Sequence, residues 1–173
     1  EDKKMNKFGK YIVGPIIVAI LAFAMQALDQ VLSPVFAFGS MAGDWIAFQA
    51  WAIYFLAGCN INGGVKGFIA YIIGIAASIA IMSLGGALGG FWGTPIAVLI
   101  VVIPVICCEK WNYISLVPAI FVAAGAYFAL MTHGGASYMQ AAAAEMIYWV
   151  WGLVWGWLTI VLRGWWNKKA GLE

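Results

Sequence analysis

Charged side chains are scarce in this sequence, since Lys, Arg, Asp and Glu make up only 9% of its 173 residues. A soluble domain carries roughly 25% charged residues. Because 65% of the residues are hydrophobic, most of the exterior must face lipid rather than water. This composition argues against a soluble enzyme, and the small net charge of +2 gives no reason to expect a nucleic-acid partner.

Histidine and cysteine are also rare. The sole histidine is His133, and the three cysteines, Cys59, Cys107 and Cys108, have neither metal-ligand spacing nor a histidine nearby. Adjacent cysteines do not easily form a disulfide with each other. The sequence contains no Walker loop, no H-E-x-x-H or C-x-x-C motif, and no plausible Ser/His/Asp set. We therefore predict a protein that is not an enzyme and that uses no metal or cofactor.

Six long apolar runs dominate the sequence instead. A membrane-spanning helix needs about 20 mostly apolar residues. Clusters of Gly, Pro, Asn and Ser, such as Asn60–Gly64 and His133–Ser137, separate the runs and are predicted to break the helices. The alternating pattern of a β-barrel is absent. We predict an all-α membrane protein with six transmembrane helices, at Tyr11–Leu28, Trp45–Gly58, Gly67–Leu84, Phe91–Cys108, Ile114–Met131 and Tyr138–Leu162.

The basic residues indicate the orientation, because Lys and Arg concentrate in cytoplasmic loops. With the N-terminus inside, the inner segments 1–10, 59–66, 109–112 and 163–173 contain all nine basic residues. These are Lys3, Lys4, Lys7, Lys10, Lys66, Lys110, Arg163, Lys168 and Lys169. The outer segments carry Asp29, Asp44 and His133 instead. We therefore predict an N-in/C-in protein with a cytoplasmic N-terminal segment (1–10) and a cytoplasmic C-terminal tail (163–173).

The second and fifth runs resemble each other. Phe48–Phe55 aligns with Phe121–Phe128 at a constant offset of 73 residues, and a diglycine follows each stretch. The repeating unit is therefore three helices, at 11–84 and again at 91–162. Because three is odd, the two copies have opposite orientations, an inverted 3+3 repeat of the kind that transporters and channels commonly use. The second run is also short, at about 21 Å against a hydrocarbon core of roughly 30 Å.

Three stretches resemble a known family of small bacterial membrane proteins. They are Trp51–Gly58, Gly63–Gly67 and Val117–Ala129, whose glycines, aromatics and Pro118 match in order and spacing. The family is domain-of-unknown-function family 1097, and the resemblance covers residues 11–162. It implies a multi-pass protein of the bacterial inner membrane with six helices. It implies no substrate and no catalytic residue.

Glu145 is the clearest candidate for a functional residue. An ionisable side chain inside a membrane span costs about 3 kcal/mol and is a functional candidate by default. Small residues such as Ala141, Ala142 and Gly152 share its helix face, which indicates packing against another helix. Glu145 is therefore expected to point into the bundle. It either lines a pathway, as a polar or protonatable group, or is a protonated carboxyl hydrogen-bonded to a neighbouring helix.

Other polar and aromatic residues could line the same pathway or simply pack the core. The candidates are Tyr54, Tyr127, Phe55, Phe128, Gln49 and Gln140, of which the tyrosines and phenylalanines are related by the duplication. Two G-x-x-x-G pairs, Gly86–Gly90 and Gly152–Gly156, are predicted to support close helix packing within or between subunits. An aromatic constriction with a few polar groups suits a small neutral solute better than an ion.

The sequence thus favours a channel or facilitator for a small polar solute, such as a urea-like amide, ammonia or a small organic acid. We expect a homo-oligomer in the lipid bilayer, in which each subunit has its own narrow pathway. The alternative is a non-transporting membrane scaffold that recruits another protein. An intramembrane enzyme is a weaker third possibility, because no catalytic constellation is evident.

Overall fold

The computed structural model describes residues 7–32, 43–134 and 137–172, and all regular structure in these ranges is helical. The six α-helices are α1 (Lys7–Leu32), α2 (Asp44–Leu56), α3 (Ile61–Leu88), α4 (Gly93–Cys107), α5 (Val117–Gly134) and α6 (Tyr138–Ala170). One 3-10 turn, Cys108–Lys110, follows α4. The prediction of an all-helical chain is confirmed. Part of the predicted N-terminal segment (1–6) and part of the predicted break at His133–Ser137 (135–136) lie outside the described residues.

Four helical segments are long and apolar enough to cross a membrane. They are Phe8–Leu32, Ile61–Leu88, Gly93–Lys110 and Tyr138–Ala170. The apolar parts of α2 and α5 are shorter, and the 13 residues of α2 rise only about 20 Å. The prediction of a short second helix is therefore confirmed. The chain has the make-up of a multi-pass membrane protein.

The predicted helix break is found between α2, which ends at Leu56, and α3, which begins at Ile61, but both glycines of the Asn60–Gly64 cluster lie inside α3. Asn60 is instead the N-cap residue, and its Oδ1 accepts a hydrogen bond of 2.8 Å from the Gly63 amide. A Cβ on Gly63 would overlap the carbonyl oxygen of Ala57. The glycines therefore allow the start of α3 to fold tightly against the end of α2, and they do not interrupt the helix.

Two further helices extend beyond the predicted limits. The backbone of His133 lies in the last turn of α5 rather than in a loop. The predicted cytoplasmic tail is helical through Ala170, because α6 continues 8 residues past Leu162 and ends at Gly171 in the left-handed conformation. A glycine at this position is the common way for a helix to end.

The helices pack in a regular pattern around two hydrophobic clusters. Helix α6 packs against α2 and α1, whereas α3 packs against α5 and α4. The larger cluster joins buried residues of α2, α3, α5 and α6, with one residue from α4. The smaller cluster lies between α1, α2 and α6. The core of the bundle is therefore built mainly by α2, α3, α5 and α6, with α1 and α4 on its flanks.

Two glycines bring the core helices into backbone contact. A Cβ on Gly74 of α3 would lie 2.6 Å from the Cβ of Ala123 on α5. A Cβ on Gly152 of α6 would lie 2.7 Å from the Cβ of Ala50 on α2. Small residues at helix contacts are the usual device for close packing in membranes. These two contacts set the spacing of α3 from α5 and of α6 from α2.

The start of α1 and the end of α6 lie at the same end of the bundle. The Lys10 ammonium of α1 donates to the Ala170 carbonyl at the end of α6 over 2.8 Å. The Trp166 indole of α6 donates to the Lys10 carbonyl over 2.9 Å. At a second junction, Lys66 of α3 donates to Asn112 in the α4–α5 connection over 2.6 Å. Basic residues thus join elements that are distant in sequence.

Candidate functional site

Glu145 lies in the interior of the bundle with 0% of its side chain exposed. Among the residues that the structure describes, neither carboxyl oxygen has a hydrogen-bond partner. Burying a polar group without a partner costs free energy, and most buried polar groups in proteins are therefore paired. The sequence left two roles open for Glu145. One of them, a hydrogen bond from the carboxyl group to a neighbouring helix, is not found among the described residues. The carboxyl group therefore has unused hydrogen-bonding capacity within the described part of the chain.

Two tyrosines from other helices lie within electrostatic range of the Glu145 carboxyl. They are Tyr71 of α3 and Tyr127 of α5, both fully buried. The Tyr71 hydroxyl has no hydrogen-bond partner in the described part of the chain. The Tyr127 hydroxyl donates to the Tyr138 carbonyl over 2.8 Å. Glu145, Tyr71 and Tyr127 thus belong to three different core helices, and the Tyr71 hydroxyl has unused hydrogen-bonding capacity within the described residues.

Trp149 packs beside this position and fixes the ring of Tyr71. Its ring centroid lies 5.2 Å from that of Tyr71 and 5.4 Å from that of Phe68. A Cβ on Gly67 would approach the Trp149 ring to 3.1 Å, so a glycine at this position makes room for the indole. The Trp149 Nε1 is also buried without a partner among the described residues.

The other predicted pathway residues are spread along the bundle. Tyr54 is buried against Gly64 and Gly156, near the end of α2. Gly156 is 18 residues along α6 from Tyr138, to which Tyr127 is bonded, or about 27 Å at helical rise. The two tyrosines therefore lie at different levels of the bundle and do not form a single ring.

The two phenylalanines of the duplicated stretches are both half-buried, but their surroundings differ. The Phe55 ring lies 6.3 Å from that of Trp51 and packs against the smaller hydrophobic cluster, away from Glu145. Phe128 lies on α5, next to Tyr127, and its carbonyl accepts a hydrogen bond of 2.8 Å from Thr132. Phe128, but not Phe55, is adjacent in sequence to a residue of the Glu145 site.

The two glutamines have different surroundings. The side chain of Gln140 accepts a hydrogen bond from the Ser137 amide over 3.0 Å, while the Ser137 side chain caps the Gln140 amide. This capping box satisfies the first turn of α6, and the spacing Ser-x-x-Gln is its signal in the sequence. Gln49 of α2 has a buried Oε1 without a partner in the described ranges. Gln49 is thus the glutamine with hydrogen-bonding capacity left for a ligand.

The two predicted G-x-x-x-G pairs also differ. Gly152 and Gly156 both face α2, since a Cβ on Gly156 would lie 2.9 Å from the Tyr54 ring. Gly86 has open space around it on α3. Gly90 follows the end of α3 and has a φ of +63°, which favours glycine. Gly86 and Gly90 therefore do not share one helix face.

Two apolar grooves run along the exposed flank of α6, the first beside α1 and α3 and the second beside α2 and α3. The first, of about 530 Å³, is lined by Asp29, Leu32, Phe68 and the α6 residues from Met146 to Val154. The second, of about 360 Å³, continues toward Trp157. Asp29 was predicted to lie at the outer interface, and its side chain is buried at one end of the first groove. Glu145 lines neither groove.

Cofactor chemistry has little support in the side chains present. Within residues 7–32, 43–134 and 137–172, no three His, Cys, Asp or Glu residues lie close enough to hold a metal ion. The three cysteines are free thiols, and Cys107 is exposed. The site around Glu145 therefore consists of a carboxyl group, phenol hydroxyls and an indole in an apolar surrounding.

Sequence reasoning found Glu145 and Tyr127 but missed Tyr71. Tyr71 lies four residues after Gly67 and three before Gly74, so it shares a face with the glycines that pack against α6 and α5. A tyrosine on a glycine-lined face of an apolar helix is a signal that could have identified it. The sequence does not show which residue of α6 faces Tyr71.

These features define a multi-pass α-helical membrane protein with a buried polar site among three of its core helices. The model of the DUF1097 family, described as a protein of unknown function, matches residues 16–148. The chain belongs to this family, as the resemblance in its sequence implied. Neither a curated protein nor a solved structure matches the chain.

Proposed function

We propose that the protein is a channel or facilitator for a small polar solute, with Glu145 at its binding site. The observation that carries the proposal is the fully buried carboxyl group without a described partner. A polar group of this kind inside a membrane protein is costly to maintain and typically marks a substrate or ion pathway. A solute passing through the bundle would supply the missing hydrogen bonds.

The unsatisfied atoms favour a neutral solute that both donates and accepts hydrogen bonds. The Glu145 carboxyl and the Gln49 amide oxygen are acceptors, whereas the Tyr71 hydroxyl and the Trp149 indole are donors. A urea-like amide or ammonia can donate to the acceptor oxygens. A carboxylate solute would bring an unpaired negative charge into an apolar interior, which is unfavourable. Among the candidate classes, we therefore place amides and ammonia before small organic acids.

We further propose that the six helices form an inverted 3+3 repeat that crosses the bilayer six times. The packing pattern supports this, because it is unchanged when α1, α2 and α3 are exchanged with α4, α5 and α6. The α2–α6 contact becomes α5–α3, the α1–α6 contact becomes α4–α3, and the α2–α3 contact becomes α5–α6. An inverted repeat would produce this pattern, with α2 and α5 as its equivalent short helices.

The close contacts of Gly152 on α6 and Gly74 on α3 involve equivalent partner residues. A Cβ on Gly152 would meet the Ala47 carbonyl and the Ala50 Cβ, and one on Gly74 would meet the Ile120 carbonyl and the Ala123 Cβ. Both pairs of partners are related by the 73-residue offset of the duplicated stretches. In addition, seven of the ten buried positions of α3 fall on buried positions of α6 at the 78-residue offset that relates the two glycines.

Under this correspondence, only one of the two equivalent positions has the carboxyl group of the candidate site. At the 78-residue offset, Glu145 corresponds to Gly67 and Trp149 corresponds to Tyr71. The Glu145–Tyr71 pair thus corresponds to the Gly67–Trp149 pair. In the second pair, the bulky indole of Trp149 fills the space beside the glycine. We infer that each chain has one solute site rather than two.

The membrane placement follows from the same arrangement. We propose that the end of the bundle with the start of α1 and the end of α6 faces the cytoplasm of a bacterial inner membrane, since the basic residues at the two junctions would then be inside. We also propose a homo-oligomer of non-enzymatic subunits, for which the open surface around Gly86 is available.

The test is solute flux into proteoliposomes, measured by stopped-flow light scattering for urea, glycerol, ammonia and acetate. The wild-type protein should conduct urea or ammonia above empty vesicles, and Glu145→Gln should change that flux. Glu109→Gln is the matched control, because it makes the same substitution in the α4–α5 connection. If folded, oriented protein conducts none of these solutes, the transport proposal fails.

The scaffold alternative has one observation in its favour. The grooves along α6 are apolar and open, and they would accept a helix of another membrane protein. A scaffold would show no flux. Replacing exposed Val150 or Val154 with a bulkier residue would then prevent the association with the partner helix.

A further inference from the structure

Positive charge is concentrated where the start of α1 meets the end of α6. Lys10 lies on α1, and Arg163, Lys168 and Lys169 lie on the last turns of α6. Two of the described acidic residues, Asp29 and Glu145, lie far from this junction. Glu145 is 18 residues before Arg163, about 27 Å along the helix, and Asp29 is a similar distance from Lys10. This junction therefore has basic groups without a described counter-charge.

The junction is held in a fixed geometry. The Lys10–Ala170 and Trp166–Lys10 hydrogen bonds tie the two helices together at this end. The stem of Arg163 lies over Gly14 of α1, since a Cβ on that glycine would be 3.6 Å from Nε. The Arg163 Nε is buried and has no hydrogen-bond partner among the described residues. An anion at the junction would meet charges that are already positioned.

The surroundings indicate that the anion belongs to a lipid. Trp165 is 59% exposed, and the Lys169 ammonium lies 5.1 Å from its ring centroid. Exposed Phe8 and Tyr11 of α1 continue this surface along the helix. Tryptophan and tyrosine beside basic residues are typical of the membrane–water interface. A lipid would place its phosphate at the basic groups and its acyl chains on the aromatic and apolar surface.

We propose that the α1–α6 junction binds the phosphate group of an anionic phospholipid, with Arg163 as the main donor. The planar guanidinium matches a phosphate in a two-pronged contact, which a lysine ammonium does not reproduce. Basic pockets between transmembrane helices bind anionic headgroups in this way. This site is separate from the Glu145 site, and the proposal does not depend on solute transport.

The experiment is native mass spectrometry of the full chain in detergent, titrated with dioleoyl phosphatidylglycerol or dioleoyl phosphatidylcholine. The anionic lipid should bind more tightly than the zwitterionic one. Arg163→Gln should weaken binding of the anionic lipid by roughly fivefold, the effect of one interfacial charge. Lys110→Gln, which removes one charge from the α4–α5 connection, should change it by less than about twofold.

A second variant tests the proposal if Arg163→Gln does not fold. Lys168 is exposed on the last turn of α6, so Lys168→Gln leaves the helix packing intact and should weaken binding in the same direction. Equal affinity for the two lipids, or equal losses in Arg163→Gln and Lys110→Gln, would overturn the proposal. Displacement of the lipid by an equal concentration of inorganic phosphate would also overturn it, because the ligand would then be a soluble anion.

Discussion

Replacing Gly152 with alanine should push α6 away from α2. The new methyl group would overlap the Ala47 carbonyl and lie 2.7 Å from the Ala50 Cβ, whereas ordinary contacts are 3.4–4 Å. The helices must therefore separate by roughly 1 Å at this point, and overpacking of this kind costs about 1–3 kcal/mol. Alanine regains up to about 1 kcal/mol of helix propensity. We expect a net loss of about 1–2 kcal/mol in the free energy of unfolding.

Gly86→Ala is the matched control for this prediction. Gly86 is also helical, but nothing lies within 4 Å of a Cβ placed there. Its alanine variant should therefore be unchanged or more stable by up to about 1 kcal/mol. The measurement is reversible unfolding in mixed micelles of rising SDS content, followed by circular dichroism. If Gly152→Ala and Gly86→Ala unfold at the same SDS fraction, the α2–α6 backbone contact does not determine the packing, and the reasoning is refuted.

Two further predictions concern the buried polar residues. Tyr127→Phe should lower the free energy of unfolding by about 1 kcal/mol, because the ring loses its hydroxyl bond to a backbone carbonyl. Tyr71→Phe should cost nothing measurable in the same assay, since its hydroxyl has no described partner to lose; a loss equal to that of Tyr127→Phe would contradict this. Glu145→Leu should leave stability unchanged or raise it, because it replaces an unpartnered carboxyl by an apolar group of similar size. A decrease of more than about 1 kcal/mol would mean that the carboxyl makes a stabilising hydrogen bond.

The predicted helices were largely correct because apolar run length is a strong signal in a membrane protein. The short α2 was also predictable, since Trp45–Gly58 is too brief to match the other runs. The ends of α3 could not be predicted from the sequence. In water a diglycine commonly ends a helix, but inside a bilayer the backbone must keep its hydrogen bonds, so helical glycines are tolerated where they pack closely. Gly63 is packed closely, since a Cβ there would overlap the Ala57 carbonyl oxygen at the end of α2.

The site was predictable only in part. Glu145 could be identified because a single carboxyl in an apolar span is conspicuous, and its small neighbours show that it faces inward. The residue that faces it depends on how α3 is rotated and shifted against α6, and a sequence does not contain that information directly. Tyr71 was missed for this reason, whereas Tyr127 was found through the duplication.

The shortness of α2 has a consequence for the bilayer around it. A helix that rises about 20 Å leaves roughly a third of a 30 Å hydrocarbon layer unspanned, so the connection to α3 would sit below the headgroups. Non-helical backbone survives at that depth only if its amides are bonded within the protein. The Cys59 amide donates to the Tyr54 carbonyl over 3.1 Å, and the Gly63 amide donates to the Asn60 side chain. The α2–α3 turn thus has internal bonding suited to a re-entrant position, where it would bring the cytoplasmic water surface closer to the centre of the membrane.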